Sequence, residues 1–311
     1  MKFHIAVDIG GTFVRAASYP DSHLKPTRQI RVATHLPGKA PLQRIFELVS
    51  SVWPEGEEVA GIGVAAPGPV DPYRGIVLRA PNIPGWENLR LQEAMETRFN
   101  VPTAIGNDAN LAALGEWKFG AGKGHHHLLY LTISTGIGGG VILNDQLLEG
   151  AQGLAAELGH ITVLPDGPLC GCGQRGHLEA ISSGPAIVRW VGEQIEHGVQ
   201  TCLADKPELT AKDIAEAAKQ GDALAVAALE RAGRFIGHAL AEFLHIFNPS
   251  IVVLGGGVSR SGPILIEAIQ KAMQERILSP QYLDNLILTT AAWGDDAGLM
   301  GALAYTREKH K

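Results

Sequence analysis

The sequence predicts an α/β protein of two similarly built lobes, and three observations predict it. Strand patterns and amphipathic helix patterns alternate along the chain. A strand, a glycine turn and a second strand occur near residue 10 and again beyond residue 124, an internal echo. The length of 311 residues is long for one hydrophobic core and natural for two domains.

Phe3 to Ile9 turns apolar ahead of Gly10-Gly11, and Thr12 to Ala17 resumes as a strand, which makes a hairpin. A third strand is predicted around Gln29–Ala33, an amphipathic helix over Pro41–Val52, and a buried strand over Val59–Ala65 ended by Pro67-Gly68-Pro69. Leu91–Phe99 reads as a helix and Pro102–Ile105 as a short strand, after which Asn107 caps a helix running to Phe119. Gly120 to Gly124 is the best linker. Beyond it come strands over His127–Ile133 and Gly140–Leu143, then helices over Gly184–Glu196, Thr210–Gln220 and Ala223–Phe247. A strand over Ile251–Leu254, a helix over Pro263–Arg276, a strand over Leu286–Thr290 and a helix over Ala297–Lys309 close the chain. The expected division is a small domain, 1–118, onto which 298–311 packs back, and a large domain, 119–297.

Composition excludes several classes. Hydrophobic content of 45% with 19% charged residues is that of a soluble globular protein. A net charge of −6 argues against a nucleic-acid surface. The N-terminus has neither a signal-peptide pattern nor a membrane span. Three cysteines, two of them in one short loop, fit a reducing cytoplasm. Cys202 reads as a lone thiol, and His125-His126-His127 as a solvated loop.

The stretch from Glu157 to Glu179 carries the most chemistry. Cys170-Gly171-Cys172 is poorly placed to close on itself as a disulfide. With His160 and His177 it supplies the two thiolates and two imidazoles that zinc prefers. Four protein ligands leave no open position, so such an ion is structural. Its purpose is to hold Glu157, His160 and Glu179, whose acceptors and donor suit vicinal sugar hydroxyls. The plainer alternative is a small-residue loop with histidines nearby.

Three glycine-rich turns leave backbone N–H groups bare for phosphate. At the first, Asp8 can hold magnesium through water, Gly10 and Gly11 allow close approach, and Thr12 offers a hydroxyl. The second, Ser134 to Gly140, places Thr135, Gly136 and Gly138 on a hairpin; a dinucleotide fingerprint would open a helix instead. The third, Gly255-Gly256-Gly257, offers a platform for a nucleoside. Asn107-Asp108 stands where a strand meets a helix, and the helix dipole favours an ionised Asp108. Such a carboxylate can accept a hydroxyl proton in phosphoryl transfer, or it can merely cap the helix. Asn82 lies in the rigid turn Ala80 to Trp86.

Taken together, Asp8–Thr12, Pro67-Gly68-Pro69, Asn82–Trp86, Asn107–Asn110, Thr135–Gly140, Glu157–Glu179 and Gly255–Gly257 resemble the ROK family (repressors, open reading frames, kinases), nearest its bacterial ATP-dependent glucokinases. The resemblance implies an actin-like, ribonuclease-H-like two-domain fold with a sugar in the interdomain cleft. It implies Asp108 as catalytic base; Gly68, Asn82, Asn107, Glu157, His160 and Glu179 on the sugar; and the glycine turns on ATP with Mg²⁺. Two positions depart from the pattern. His177 replaces the usual third cysteine, giving a Cys₂His₂ set, and Phe13 stands where lysine is frequent.

The expected activity is ATP-dependent phosphorylation of a hexose, glucose first. N-acetylmannosamine, N-acetylglucosamine, fructose and mannose are alternative acceptors. A sugar-responsive repressor needs a DNA-reading segment ahead of the first hairpin, which here begins at residue 3. The expected partners are hexose and ATP, with no nucleic acid and no membrane. Apolar residues of Ala223–Phe247 cover more than one helix face, which either the domain's own sheet or a partner must bury. The resemblance, to a family whose kinases are commonly dimers or tetramers, implies a homodimer or homotetramer with its interface on the large domain.

Overall fold

The computed structural model describes residues 1–36, 38–80 and 82–310. Pro81, in the predicted Asn82 turn, and Lys311, at the end of the predicted closing segment, lie outside them. In chain order the elements begin with β1 (Lys2–Ile9), β2 (Phe13–Pro20), β3 (Arg28–Ala33), α1 (Pro41–Val52), β4 (Glu58–Ala66), β5 (Val70–Asp71), β6 (Ile76–Arg79), β7 (Glu87–Leu89), α2 (Leu91–Phe99), β8 (Thr103–Asn107) and α3 (Asp108–Phe119). They continue with β9 (Leu128–Ile133), β10 (Ile137–Leu143), β11 (Gln146–Leu147), α4 (Leu178–Ser182), α5 (Gly184–Glu196), α6 (Ala211–Lys219), α7 (Ala223–Phe247), β12 (Ile251–Gly255), α8 (Pro263–Arg276), β13 (Ile287–Thr290) and α9 (Ala297–Lys309).

Contacts divide the chain into two compact units. The first holds Met1–Gly124, Gly140–Ala156 and the stretch from Ala291 onward; the second holds His125–Gly139 and Glu157–Thr290. The segment 140–156, counted with the large domain in the sequence-based division, packs with the first unit.

In the first unit a five-stranded sheet runs β3-β2-β1-β4-β8. Strands β1 to β3 pair antiparallel, while β1, β4 and β8 run parallel. The near-continuous apolar sequences of β1 and β4 follow from burial on both faces. Register aligns Asp8 with Ala65 and Ala66 with Asn107, so the first glycine turn and the start of α3 share the carboxyl edge of the sheet. A small antiparallel sheet, β5-β6-β7, follows β4. Its strands are two to four residues long, too short to show a periodicity in sequence.

Helix α9 covers one face of this sheet and lies along α3. Glycines make that approach possible. A Cβ on Gly301 would stand 1.8 Å from the Leu111 carbonyl oxygen, and one on Gly63 would stand 2.0 Å from that of Ala302. The fully buried Glu116 carboxylate accepts from Ala121 N–H (2.9 Å), Ala292 N–H (3.0 Å) and Trp293 N–H (2.8 Å). It thereby grips the segments by which the chain leaves this unit and re-enters it, and so satisfies a buried charge.

In the second unit β12 lies between β9 and β13, all parallel. Helix α7 packs against α4, α5, α6 and α8. Its Leu224, Leu229, Ile236, Leu240, Phe243 and Leu244 are buried within this unit. Much of the surplus apolar face that motivated an oligomer is thus covered by the chain's own helices, while Val226, Ala227 and Phe235 stay half-buried.

Gly301→Ala should destabilise the protein by about 3 kcal/mol, the upper end of overpacking costs, because only backbone stands in the way of the new methyl. Gly192→Ala, in the interior of α5 with nothing within 4 Å of its Cβ position, should instead stabilise by about 0.5–1 kcal/mol. Chemical denaturation of the two variants measures both.

Candidate functional site

Two groups of residues gather the predicted chemistry, one in each unit. In the first unit, Gly10 N–H donates to the Phe13 carbonyl (2.9 Å), closing the first turn. The Asn82 side chain lies against Gly11, where a Cβ would come within 2.9 Å. Asp8 accepts a hydrogen bond from Arg15, whose other nitrogen lies 3.5 Å from Asp296. Burial pushes the Asp8 carboxyl upward in pKa while Arg15 pulls it down.

Asn107 caps α3: its Oδ1 accepts from Ala109 N–H (3.0 Å) and Asn110 N–H (3.1 Å). Its amide nitrogen donates to the Gly68 carbonyl at 3.0 Å. Gly68 has φ +79, and a Cβ there would meet the Arg79 carbonyl oxygen at 2.0 Å, so glycine is required. These two predicted sugar residues are thus tied to each other. Asp108 opens the helix at half-burial, where the helix dipole favours a carboxylate. Its Oδ1 accepts from Ala109 N–H at 2.8 Å.

In the second unit, His160, Cys170, Cys172 and His177 converge, with one donor atom from each within 4.8 Å of all the others. Cys170 Sγ lies 3.7 Å from His160 Nδ1, Cys172 Sγ 3.3 Å from His177 Nδ1, and the two Nδ1 atoms are 3.4 Å apart. A tetrahedral zinc with ordinary bond lengths sets sulfur–nitrogen edges of about 3.6 Å and nitrogen–nitrogen edges of about 3.3 Å. The donor set fits that ion in chemistry and in spacing. A tight turn builds it: Gly173 N–H donates to the Cys170 carbonyl (2.9 Å), and Gly173 and Gly176 take φ of +92 and +71. With protons as the partners, burial pushes the Cys170 thiol up to about 11 and the His177 imidazole down. A bound cation would reverse the first tendency, because a coordinating thiol is deprotonated.

The predicted carboxylates border this cluster. Glu179, in the first turn of α4, lies 3.6 Å from Cys170 Sγ through one oxygen, and the other accepts from Ile137 N–H at 3.0 Å. Gly136 admits that oxygen, since a Cβ there would come within 2.5 Å of it. The second glycine turn and the cysteine loop are thereby one structure. Glu157 precedes the short helical turn Leu158–His160. Its side chain reaches solvent, yet the protein around the carboxyl raises its pKa, opposed by His160 and reinforced by Glu179. His160 turns Nδ1 toward the cluster, which leaves Nε2 on the far side of its ring.

The second and third turns end adjacent parallel strands, with Gly255 opposite Thr132. Gly255 and Gly256 pack on Tyr130 and on the Ile133 backbone, whereas Gly257 has nothing within 4 Å of its Cβ position. Thr135 and Gly257 line a cavity of about 870 Å³ together with Pro185, Val188, Leu209 and Lys212. Its size and apolar walls suit a nucleoside. Gly138 sits half-buried on β10. The sequence reading missed the cavity's other walls. Pro185 and Leu209 flank helix starts and look like ordinary cap neighbours; only the meeting of α5 and α6 beside the glycine turn distinguishes them.

The ROK family sequence pattern matches residues 4–309. The chain belongs to the ROK family. It is 39% identical to a glucokinase of Thermotoga maritima over 98% of this chain and 97% of that one. A ROK glucokinase from Streptomyces griseus, solved with glucose and AMPPNP, superposes with a TM-score of 0.84 at 36% identity, over 98% of this chain and 99% of that one. The fold is the family's actin-like two-domain fold. A xylose repressor of Bacillus spizizenii is 30% identical over 96% of this chain but only 75% of its own. No helix among the described residues is long and apolar enough to cross a membrane.

Asn107→Ala should cost about 1 kcal/mol of stability through the lost cap alone. It should cost more in total, because the Gly68 carbonyl also loses its donor. Denaturant midpoints of Asn107→Ala and Asn107→Asp separate the two contributions, since aspartate keeps the cap and removes the tether.

Proposed function

We propose that this protein is an ATP-dependent hexokinase that converts glucose to glucose 6-phosphate. The observation that carries the reading is the placement of Asp108 at the helix start on the same strand edge as the first glycine turn. Near-full-length likeness to glucokinases supports it. In this reading Asp108 accepts the proton of the 6-hydroxyl as that oxygen bonds to the γ-phosphorus and the bond to ADP breaks. Gly68, Asn82, Asn107, Glu157, Glu179 and the outward nitrogen of His160 hold the sugar hydroxyls. The glycine turns hold the triphosphate, and the cavity beside Gly257 takes the nucleoside. Magnesium bound with the nucleotide would neutralise phosphate charge, and Asp8 is the carboxylate that would hold it through water.

Zinc on His160, Cys170, Cys172 and His177 is structural in this account and fixes His160 and Glu179. Function in the cytoplasm accords with ATP use and with free thiols. A homodimer or homotetramer is proposed from the family resemblance alone, and sedimentation at micromolar concentration tests it.

Purified protein should release ADP from ATP only when a hexose is present, with glucose the best of a panel that includes mannose, fructose, N-acetylglucosamine and N-acetylmannosamine. A different best acceptor would reassign the substrate, and ADP release without any sugar would contradict the kinase reading. Asp108→Asn should lower kcat at least about 10²-fold, the lower range for loss of a general base, while glucose binding is kept. Gly257→Leu, placed in the cavity rather than against backbone, should raise the KM for ATP well above its effect on the KM for glucose.

Protein purified without added metal should contain one zinc per chain by elemental analysis. Cys172→Ser should lose it. Full zinc content in that variant would remove Cys172 from the ligand set.

A further inference from the structure

Strand β2 leaves the first glycine turn at Phe13, and a cation stands over that residue from the neighbouring strand. Strands β2 and β3 pair with Arg15 opposite Arg31 and Phe13 opposite Ala33. Alternation along a strand therefore puts Phe13, Arg15 and Arg31 on one face. The Arg31 guanidinium carbon lies 3.6 Å from the centre of the Phe13 ring. The charge thus sits where the side chain of residue 13 ends.

The two arginines on this face differ in their engagements. Arg15 is committed to the carboxylates of Asp8 and Asp296. Arg31 is exposed and, among the described residues, pairs with the Phe13 ring rather than with a carboxylate. Stacking uses the face of a guanidinium and leaves its in-plane N–H donors available, which is the geometry suited to phosphate oxygens. A lysine could not be shelved in this way and still present a fork. The strand is also tied to the turn: Thr34, just after β3, donates through Oγ1 to the Gly10 carbonyl (2.6 Å) and through its N–H to the Thr12 carbonyl (2.9 Å). Arg31 therefore belongs to the same rigid piece as the first glycine turn.

We propose that Arg31, shelved on Phe13, contacts the terminal phosphates of the nucleotide at the first glycine turn. This rests on the kinase reading above. Phe13 is then a positioning residue, and the Phe13–Arg31 pair is one functional unit assembled from two strands.

The test is steady-state kinetics with glucose saturating and ATP varied, together with calorimetric binding of ATP and AMP to wild type, Arg31→Met, Phe13→Lys and the double variant. Arg31→Met should raise the KM for ATP on the order of tenfold, as expected for one lost charge-assisted contact, and leave the KM for glucose within about twofold. It should weaken ATP binding and spare AMP, which lacks the terminal phosphates. Adding Phe13→Lys to Arg31→Met should restore most of the loss, which a merely structural defect would not allow. An unchanged KM for ATP in Arg31→Met, or equal losses for ATP and AMP, would overturn the assignment while the wild-type activity leaves the kinase reading intact. A wild type that turns over no ATP with any hexose would remove both.

Discussion

Four soft donors drawn to one point organise the part of this molecule that is richest in polar chemistry. Two thiols and two imidazoles within 4.8 Å would be an expensive arrangement without a cation: burial disfavours both the thiolate and the imidazolium, and the donors have only weak partners in one another. With a tetrahedral ion at the centre, the same spacing becomes the stable one. The consequences run outward along the chain. A bound ion would fix His160 Nδ1 and its ring orientation with it, Cys170 lies against Glu179, and Glu179 reaches the backbone of the second glycine turn. Glu179, the cysteine loop and the second glycine turn are thus held together.

The first unit reaches the same end without a metal. Its support is backbone-to-backbone packing that only glycine permits, where α9 lies on α3 and on β4. That seat fixes the start of α3 and so the direction of Asp108. Asn107 joins this helix start to Gly68, and the buried Glu116 holds the far end of the same helix to the two segments that lead out of the unit. Several residues that resemble pure ligand contacts in sequence therefore also carry structure. Substituting Asn107 or Gly68 should change stability as well as the proposed sugar contacts, and the two effects separate only when both are measured.

Much of this was legible in the sequence, for identifiable reasons. Long elements with strong periodicity and clear ends, such as α1, α5, α7 and α8, have the boundaries that the pattern predicts. The donor cluster was legible because cysteine and histidine at tight glycine spacing have few other uses. The small β5-β6-β7 sheet was not, because strands of two to four residues carry no periodicity. The nucleoside-sized cavity was not, because its walls come from helix starts far apart in sequence. The apolar surplus of α7 was legible but ambiguous: periodicity shows that a face is buried and not what buries it. Phe13 read as a loss in sequence, and the β2–β3 register shows what stands over it.

In the proposed reading one structural ion builds the sugar site of the second unit, while most walls of the nucleotide cavity come from α5 and α6. Calorimetric binding of glucose and of ATP to protein stripped of zinc by a chelator, and then reloaded, tests it most directly. Glucose affinity should fall on stripping and return on reloading, with ATP affinity falling less, because Pro185, Val188 and Leu209 of the cavity lie outside the cysteine loop. Glucose binding of full strength to protein shown to be free of metal would contradict it.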